Sequence, residues 1–372
     1  MARLVISGRN GSRHTRGRLS YAADATATGW LRNPEGINGS RKGTLSRAHF
    51  SLQREDDIDN ESEGSAPKFQ PLGALEFEPT ACPVCGERAI GRHLQKTFQD
   101  FDLHFAVCSR CATLYANPRL TSDSLRSLYD SEEFFEGREE NLNYYSFLSG
   151  ERYLRRTARG RIERFREHAP GRRLLEVASA AGFFLAEAKD AGFEAEGIEL
   201  SSPMAEYASD RWGVPVTAGS IEDIELDDAT YDVIASWGVM TILRDPRAVM
   251  AKFHAALKPG GVWAFNTYDN GALWGRLFGA RWYILVPNTS QIHNDRTLRR
   301  LIDEAGFDLV ARRRDRPYAS IERLLFVLLS QVSHGVRDKF FERVHFLNRL
   351  IIPVRAPDAF EYHCVKRGHS GS

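Results

Sequence analysis

The stretch Leu174–Glu199, LLEVASAAGFFLAEAKDAGFEAEGIE, constrains the fold more than any other part of the chain. The apolar run Leu174–Val177 leads into small residues, Ala178 to Gly182, and then into a segment with Phe184, Leu185 and Ala188 at helical spacing. Gly192 stands where helices commonly stop, and a second strand closes on Glu199. Strand, tight turn, helix and strand in this order require a parallel pair joined by a crossover, and parallel pairs are stable inside sheets covered on both faces. The small residues lie where the backbone must approach a ligand and begin a helix. An acid ending the second strand can accept both hydroxyl protons of a ribose.

The same alternation continues downstream. Ser202-Pro203 supplies an N-cap and N1 start, Tyr231–Trp237 reads as a strand, Pro246–Leu257 as a helix, and Lys258-Pro259-Gly260-Gly261 as a turn into another strand, VWAFNT. Arg296–Ala305 reads as a helix before Gly306-Phe307, and FEYHCVK as the last strand. Alternating strands and helices predict an α/β fold with a mostly parallel sheet. Upstream, Thr121–Tyr129 and Tyr144–His168 read as helices that cap the sheet. Tyr144, Tyr145 and Tyr153 are candidates for lining a site, with ordinary helix packing as the alternative. The apolar Leu324–Leu329 run is far shorter than the roughly 20 residues of a membrane span and reads as the buried face of a helix.

Four of the five cysteines fall into two knuckles, Cys82-Pro-Val-Cys85-Gly86 and Cys108-Ser-Arg-Cys111. Each Cys-x-x-Cys turn aims two thiolates at one ion, so Cys82, Cys85, Cys108 and Cys111 together offer a tetrahedral zinc site. Four sulfurs leave no position for a reactive water, so such a metal is structural. Disulfides and a redox pair are the alternatives; the missing secretory signal argues against the first and the missing thioredoxin-like unit against the second. Cys364 lies in the last strand and reads as a buried thiol.

The 372 residues carry a net charge of +1, which gives no general attraction to nucleic acid. Residues 1–49 are rich in Arg, Ser, Gly and Thr with almost no acids, and residues 55–63 switch to Asp and Glu, a composition that cannot offset its ordering entropy. The expected organisation is a disordered leader over 1–70, a zinc ribbon over 75–120, and an α/β domain over 121–368 with a helical insertion around 318–352. Cytoplasmic residence is expected; the Arg-rich, acid-poor start also suits an organelle transit peptide.

The segment 174–199 resembles the first motif of the class I S-adenosylmethionine-dependent methyltransferases, acid-x-Gly-x-Gly-x-Gly, read here as Glu176, Ala178, Ala180 and Gly182. Only the last glycine stands. Gly219-Ser220-Ile221-Glu222-Asp223 is similar to the family's adenine-contacting loop, Tyr231–Trp237 to its fourth strand, and Lys258-Pro259-Gly260-Gly261 to the turn before its fifth. The resemblance covers about residues 120–366 and is nearest to the branch that methylates small molecules and often carries an N-terminal zinc ribbon. It implies a Rossmann-like seven-stranded sheet preceded by that ribbon. It implies S-adenosylmethionine at Glu176, Ala178, Ala180, Gly182, Glu199, Ser220, Ile221 and Trp237, and an acceptor pocket built partly from Trp274–Asn294.

Methyl transfer from a sulfonium mainly needs alignment, with a base only where the acceptor ionises poorly. Relatives often place an acid-x-x-Glu-His after strand four and a Pro-x-His before the helix after strand five. Here those positions read Trp237–Ile242 and Pro287-Asn288-Thr289, without either histidine. His293 is the nearest candidate base, with a surface or hydrogen-bonding role as the alternative. Three functions remain open: methyl transfer to a small molecule such as a sugar, polyketide or aromatic metabolite; a degenerate member that binds a nucleoside ligand or protein partner; and a nicotinamide-dependent oxidoreductase, which lacks its Gly-x-Gly-x-x-Gly. Acceptor identity, the atom methylated and oligomeric state are not written in the sequence.

Overall fold

The computed structural model describes residues 4–6, 66–98, 101–135, 147–330 and 345–368. Strand β1 (Leu4–Ile6) pairs antiparallel with β2 (Leu75–Glu78), which also pairs with a later short strand. Ordered structure therefore reaches into the segment expected to be a leader. Gln70 adds to this by donating its backbone N–H to Asp130 O at 3.0 Å. Residues 7–65, Tyr144, Tyr145 and the part of the 318–352 insertion between 331 and 344 lie outside the described residues.

The ribbon is a hairpin, β3 (Ile90–Phe98) and β4 (Phe101–Cys108), extended by β5 (Leu114–Ala116). β6 (Arg119–Leu120) then leads to α1 (Ser122–Tyr129), whose N-cap Thr121 accepts from Ser124 N–H, and to the short α2 (Glu132–Phe135). The next helix, α3 (Glu151–Arg166), is shorter than the Tyr144–His168 expected. Tyr153 does not line a cleft. It is buried, with its ring and hydroxyl against Arg323, because an aromatic on the inner face of α3 gains more from packing than from exposure.

The main sheet is built from β7 (Arg173–Val177), β8 (Glu194–Glu199), β9 (Val216–Ala218), β10 (Tyr231–Trp237) and β11 (Leu257–Tyr268), with α4 (Phe183–Asp190), α5 (Ser202–Trp212) and α6 (Pro246–Ala256) as crossovers. Beyond β11 come α7 (Leu273–Phe278), β12 (Gln291–Ile292), α8 (Asp295–Glu304), β13 (Phe307–Arg314), β14 (Tyr318–Ser320), α9 (Ile321–Ser330), β15 (Ile351–Pro353) and β16 (Ala359–Lys366). The seven strands lie in the order β13-β16-β11-β10-β7-β8-β9, all parallel except β16, which runs antiparallel to both neighbours. The expected α/β class and mostly parallel seven-stranded sheet are present. Trp263, Phe265, Phe253 and Phe307 pack on the face covered by α6 and α8, while Phe165, Phe184, Leu185 and Phe193 fill the α3 and α4 face. Both faces are thus covered, as β7 with its four consecutive buried residues demands.

Two local details differ from the sequence reading. The N-cap of α5 is Ser201, not Ser202, and the free N–H of Ser202 donates to Asp130 Oδ1 at 2.9 Å, so a carboxylate from the end of α1 caps this helix. The Lys258–Gly261 turn is absorbed into β11, with a register shift between Tyr231 and Val233 where it meets β10. No helix among the described residues is long and apolar enough to cross a membrane.

Candidate functional site

Two places gather the predicted residues. In the ribbon, the Sγ atoms of Cys82, Cys85, Cys108 and Cys111 all lie within 4.8 Å of one another, with Cys82–Cys111 and Cys85–Cys108 at 3.5 Å and Cys85–Cys111 at 3.6 Å. A tetrahedron of sulfurs at about 2.3 Å from zinc has edges of about 3.8 Å, whereas a disulfide needs about 2.05 Å. All four thiols are free. The donor set therefore fits a structural zinc ion. The knuckles close by matching turns: Gly86 N–H donates to Cys82 O and Ala112 N–H to Cys108 O, with φ of 70° at Gly86 and 56° at Ala112. The cluster is tied into the domain. Arg247 Nε donates to Val84 O at 2.8 Å, and Cys111 O accepts from both Asn294 Nδ2 and Thr297 Oγ1.

The second place is the turn between β7 and α4. Ala178, Ala180 and Gly182 have φ of 60°, 46° and 72°, so the left-handed backbone of a glycine loop is kept at both alanines. Left-handed backbone costs a residue with a Cβ roughly 1–2 kcal/mol, and such strain is commonly held at functional sites. The turn is over-determined by its contacts. Ala178 and Ser179 N–H donate to Ile198 O, Trp212 Nε1 donates to Ala181 O at 2.8 Å, and Ala180 N–H donates to Glu199 Oε2 at 2.7 Å. At Gly182 a Cβ would come within 2.8 Å of Ala208 Cβ and Trp212 Cδ1, which explains why this glycine alone remains.

Glu199 is buried at the end of β8, and its other oxygen accepts Ser201 N–H at 2.9 Å. Burial raises its pKa to about 7, against the opposing pull of the backbone N–H groups of Ser201, Ala180 and Leu200. Glu176 is likewise buried and held well above the usual carboxylate range, by burial and then by the nearby Glu199, with Arg161 only partly offsetting. Next to them, Gly219 N–H donates to Glu199 O, bringing Ser220 and the buried Ile221 to the same edge of the sheet. Trp237 ends β10 with its ring stacked under the Arg161 guanidinium at 4.3 Å. Glu176 Oε2, Ser179 Oγ, Ser201 Oγ and Trp237 Nε1 are buried without hydrogen-bond partners among the described residues. Unsatisfied polar atoms at or just beyond the carboxyl ends of β7, β8 and β10 suit a polar ligand, so the residues fit a nucleoside-type cofactor. The Glu199 lone pairs already serve two backbone donors, a feature the sequence could not show.

His293 is not a surface residue. It is buried, both ring nitrogens lack partners among the described residues, and burial lowers its pKa to about 4. It is neutral at pH 7 and a weak base. In the Trp274–Asn294 segment, Trp282 and Tyr283 both donate to the buried Asp358, at 2.6 and 3.1 Å. Lys96 reaches over from the ribbon to donate to the Trp282 and Leu285 carbonyls. Asp358 and Lys96 carry no motif, and only the assembled fold reveals their roles.

Residues 151–312 match the family model described as a methyltransferase domain. A malonyl-[acyl-carrier protein] O-methyltransferase of Serratia marcescens is 30% identical over 105 residues, 28% of this chain and 41% of that protein. The enzyme of the same name from Pseudescherichia vulneris is 31% identical over 86 residues, 23% and 34% respectively. The chain thus spans about two fifths or less of the length of these curated relatives. Among solved structures, a SAM-dependent methyltransferase from Archaeoglobus fulgidus aligns over 60% of this chain and 100% of its own at 19% identity, with a TM-score of 0.40.

Proposed function

From a chain that carries a methyltransferase domain over residues 151–312, we propose S-adenosylmethionine-dependent methyl transfer to a small-molecule acceptor, with zinc as a structural ion in the ribbon. The observation that carries this reading is the loop Ala178–Gly182, held left-handed against Glu199 at the carboxyl edge of a parallel sheet. When bound, S-adenosylmethionine supplies a methyl group on a positively charged sulfur, open to in-line attack. The protein's share is alignment. The Ala178–Gly182 turn would hold the methionine end, Glu199 the ribose hydroxyls, and Ser220 and Ile221 the adenine, with Glu176 and Trp237 closing the floor. Cys82, Cys85, Cys108 and Cys111 would hold zinc and so fix the ribbon against Asn294 and Thr297. With its pKa near 4, His293 accepts a proton poorly at neutral pH, which favours acceptors that ionise without help.

The named relatives act on a malonyl-[acyl-carrier protein], so a carboxylate carried on a protein joins sugars, polyketides and aromatic metabolites in the test panel. The experiment is S-adenosylhomocysteine formation by the full-length, zinc-replete protein with each acceptor class. Turnover that depends on one acceptor supports the proposal. Cofactor binding without turnover on any class favours the second reading, a degenerate member that binds a nucleoside ligand; the alanines at two glycine positions and the engaged Glu199 carboxylate speak for it.

A further inference from the structure

The ribbon and the domain line an open cleft of about 880 Å³, within the size range of small-molecule sites. Its charge is unlike that of the chain. The protein as a whole carries +1, yet five arginines line this space: Arg92 and Arg110 from the ribbon, and Arg276, Arg296 and Arg300 from the domain. All five are exposed. Two aspartates also line it, and both are already engaged. Asp269 accepts Gly271 N–H at 2.8 Å and faces Arg312 at 3.7 Å; Asp295 pairs with Arg299 at 2.8 Å and Arg312 at 2.7 Å. Neither Arg299 nor Arg312 lines the cleft. Of the five, only Arg300 has an ion pair among the described residues, to Glu304 at 3.6 Å. Arg110 also feels the Glu87 carboxylate, while Arg92, Arg276 and Arg296 have no acid within ion-pair distance among the described residues, so the lining keeps an excess of positive charge.

The wall is cross-linked by hydrogen bonds where the two parts meet. Asn270 Nδ2 donates to Ala112 O and Ile292 O, and Asn294 Nδ2 to Cys111 O, so the cysteine knuckle itself forms part of the lining. The N-terminus of α8 opens into the same space, since Asn294 to Thr297 line it, and a helix start adds partial positive charge.

We infer that this cleft binds a ligand carrying two or more phosphate charges. One carboxylate is matched by a single guanidinium fork, whereas five arginines along one cleft suit a multiply charged anion, and the planar fork suits phosphate oxygens in particular. The assignment concerns binding alone and stands on the cleft's own side chains, whether or not the domain transfers methyl.

The test is calorimetric titration of the full-length, zinc-replete protein with fructose 1,6-bisphosphate at low ionic strength, where screening is weak, with citrate as the carboxylate of comparable charge. Expected are submillimolar binding of the bisphosphate, citrate at least fivefold weaker, and a loss of about tenfold in each of Arg110→Gln and Arg296→Gln, the scale of one charge-assisted contact. Arg152→Gln, on the exposed side of α3, should bind as the parent does. Circular dichroism and zinc content keep folding separate from binding. The inference is overturned by no bisphosphate binding in folded protein, by citrate binding as tightly, or by an equal loss in Arg152→Gln.

Discussion

At the ribbon, Ala112 turns left-handed at φ 56° just after a knuckle whose four sulfurs converge within 4.8 Å. At the loop between β7 and α4, Ala178 and Ala180 do the same at 60° and 46°, but the acid they face already accepts two backbone N–H groups. The two regions share a backbone device and differ in readiness. The ribbon's four thiols face one another, the Thr113 hydroxyl and the backbone N–H groups of Val84, Cys85, Glu87 and Thr113, an arrangement that suits thiolates around a cation. The loop's polar groups are divided, with Glu199 engaged and Glu176 Oε2, Ser179 Oγ and Trp237 Nε1 without hydrogen-bond partners among the described residues. The turn holds a left-handed backbone at two alanines because contacts from Ile198, Trp212 and Glu199 fix it in place of glycine's freedom.

Breaking the ribbon should have the largest effect. Structural zinc contributes about 10–16 kcal/mol in small zinc domains, so Cys82→Ser or Cys111→Ser should abolish the expected one zinc per chain and unfold the ribbon, read by metal analysis and proteolysis. An equally stable, metal-free variant would remove the zinc assignment. Next in size is Gly182→Val, which adds a side chain at φ 72° within 2.8 Å of Ala208 and Trp212. A loss of roughly 2–4 kcal/mol in denaturant unfolding is expected from strain and overpacking together.

How much of this was readable before folding differs between the two regions for a physical reason. The cysteine site is encoded by spacing within two short turns, so Cys82 to Cys111 could be read directly. The loop's position was equally plain from Leu174–Glu199, but its conformation was not, since an alanine gives no sign of positive φ. The partners of Glu199 and the burial of His293 depend on which backbone groups tertiary packing turns toward them. The arginine-lined cleft was invisible because its residues come from four separate segments, none of them unusual alone.

The loop can be probed through protons. Burial raises Glu199 from its ordinary 4.5 to about 7, so the folded state binds the proton more tightly than the unfolded chain. Its stabilising share is full below about pH 4.5 and is lost as pH rises through 7. The stability difference between parent and Glu199→Gln should therefore shift against the parent by a few kcal/mol across that window. A flat difference would mean that Glu199 is not buried as described. The smallest effect is expected from Ala178→Gly with Ala180→Gly. Relief of about 1–2 kcal/mol of strain per site is offset by about 0.5–1 kcal/mol of added chain entropy at each, giving a net gain of about 1–2 kcal/mol for the pair in chemical unfolding. Destabilisation would show that the alanines are not strained.

The central claim is that the β7–α4 turn still holds S-adenosylmethionine despite its alanines, and calorimetric titration of the folded, zinc-replete protein with that cofactor tests it most directly. The account predicts binding weaker than micromolar but saturable below millimolar, weakened at least tenfold in Glu199→Ala through the loss of charge-assisted hydrogen bonds worth about 1.5–3 kcal/mol each. No heat of binding at millimolar cofactor, with the fold intact by circular dichroism, would contradict it.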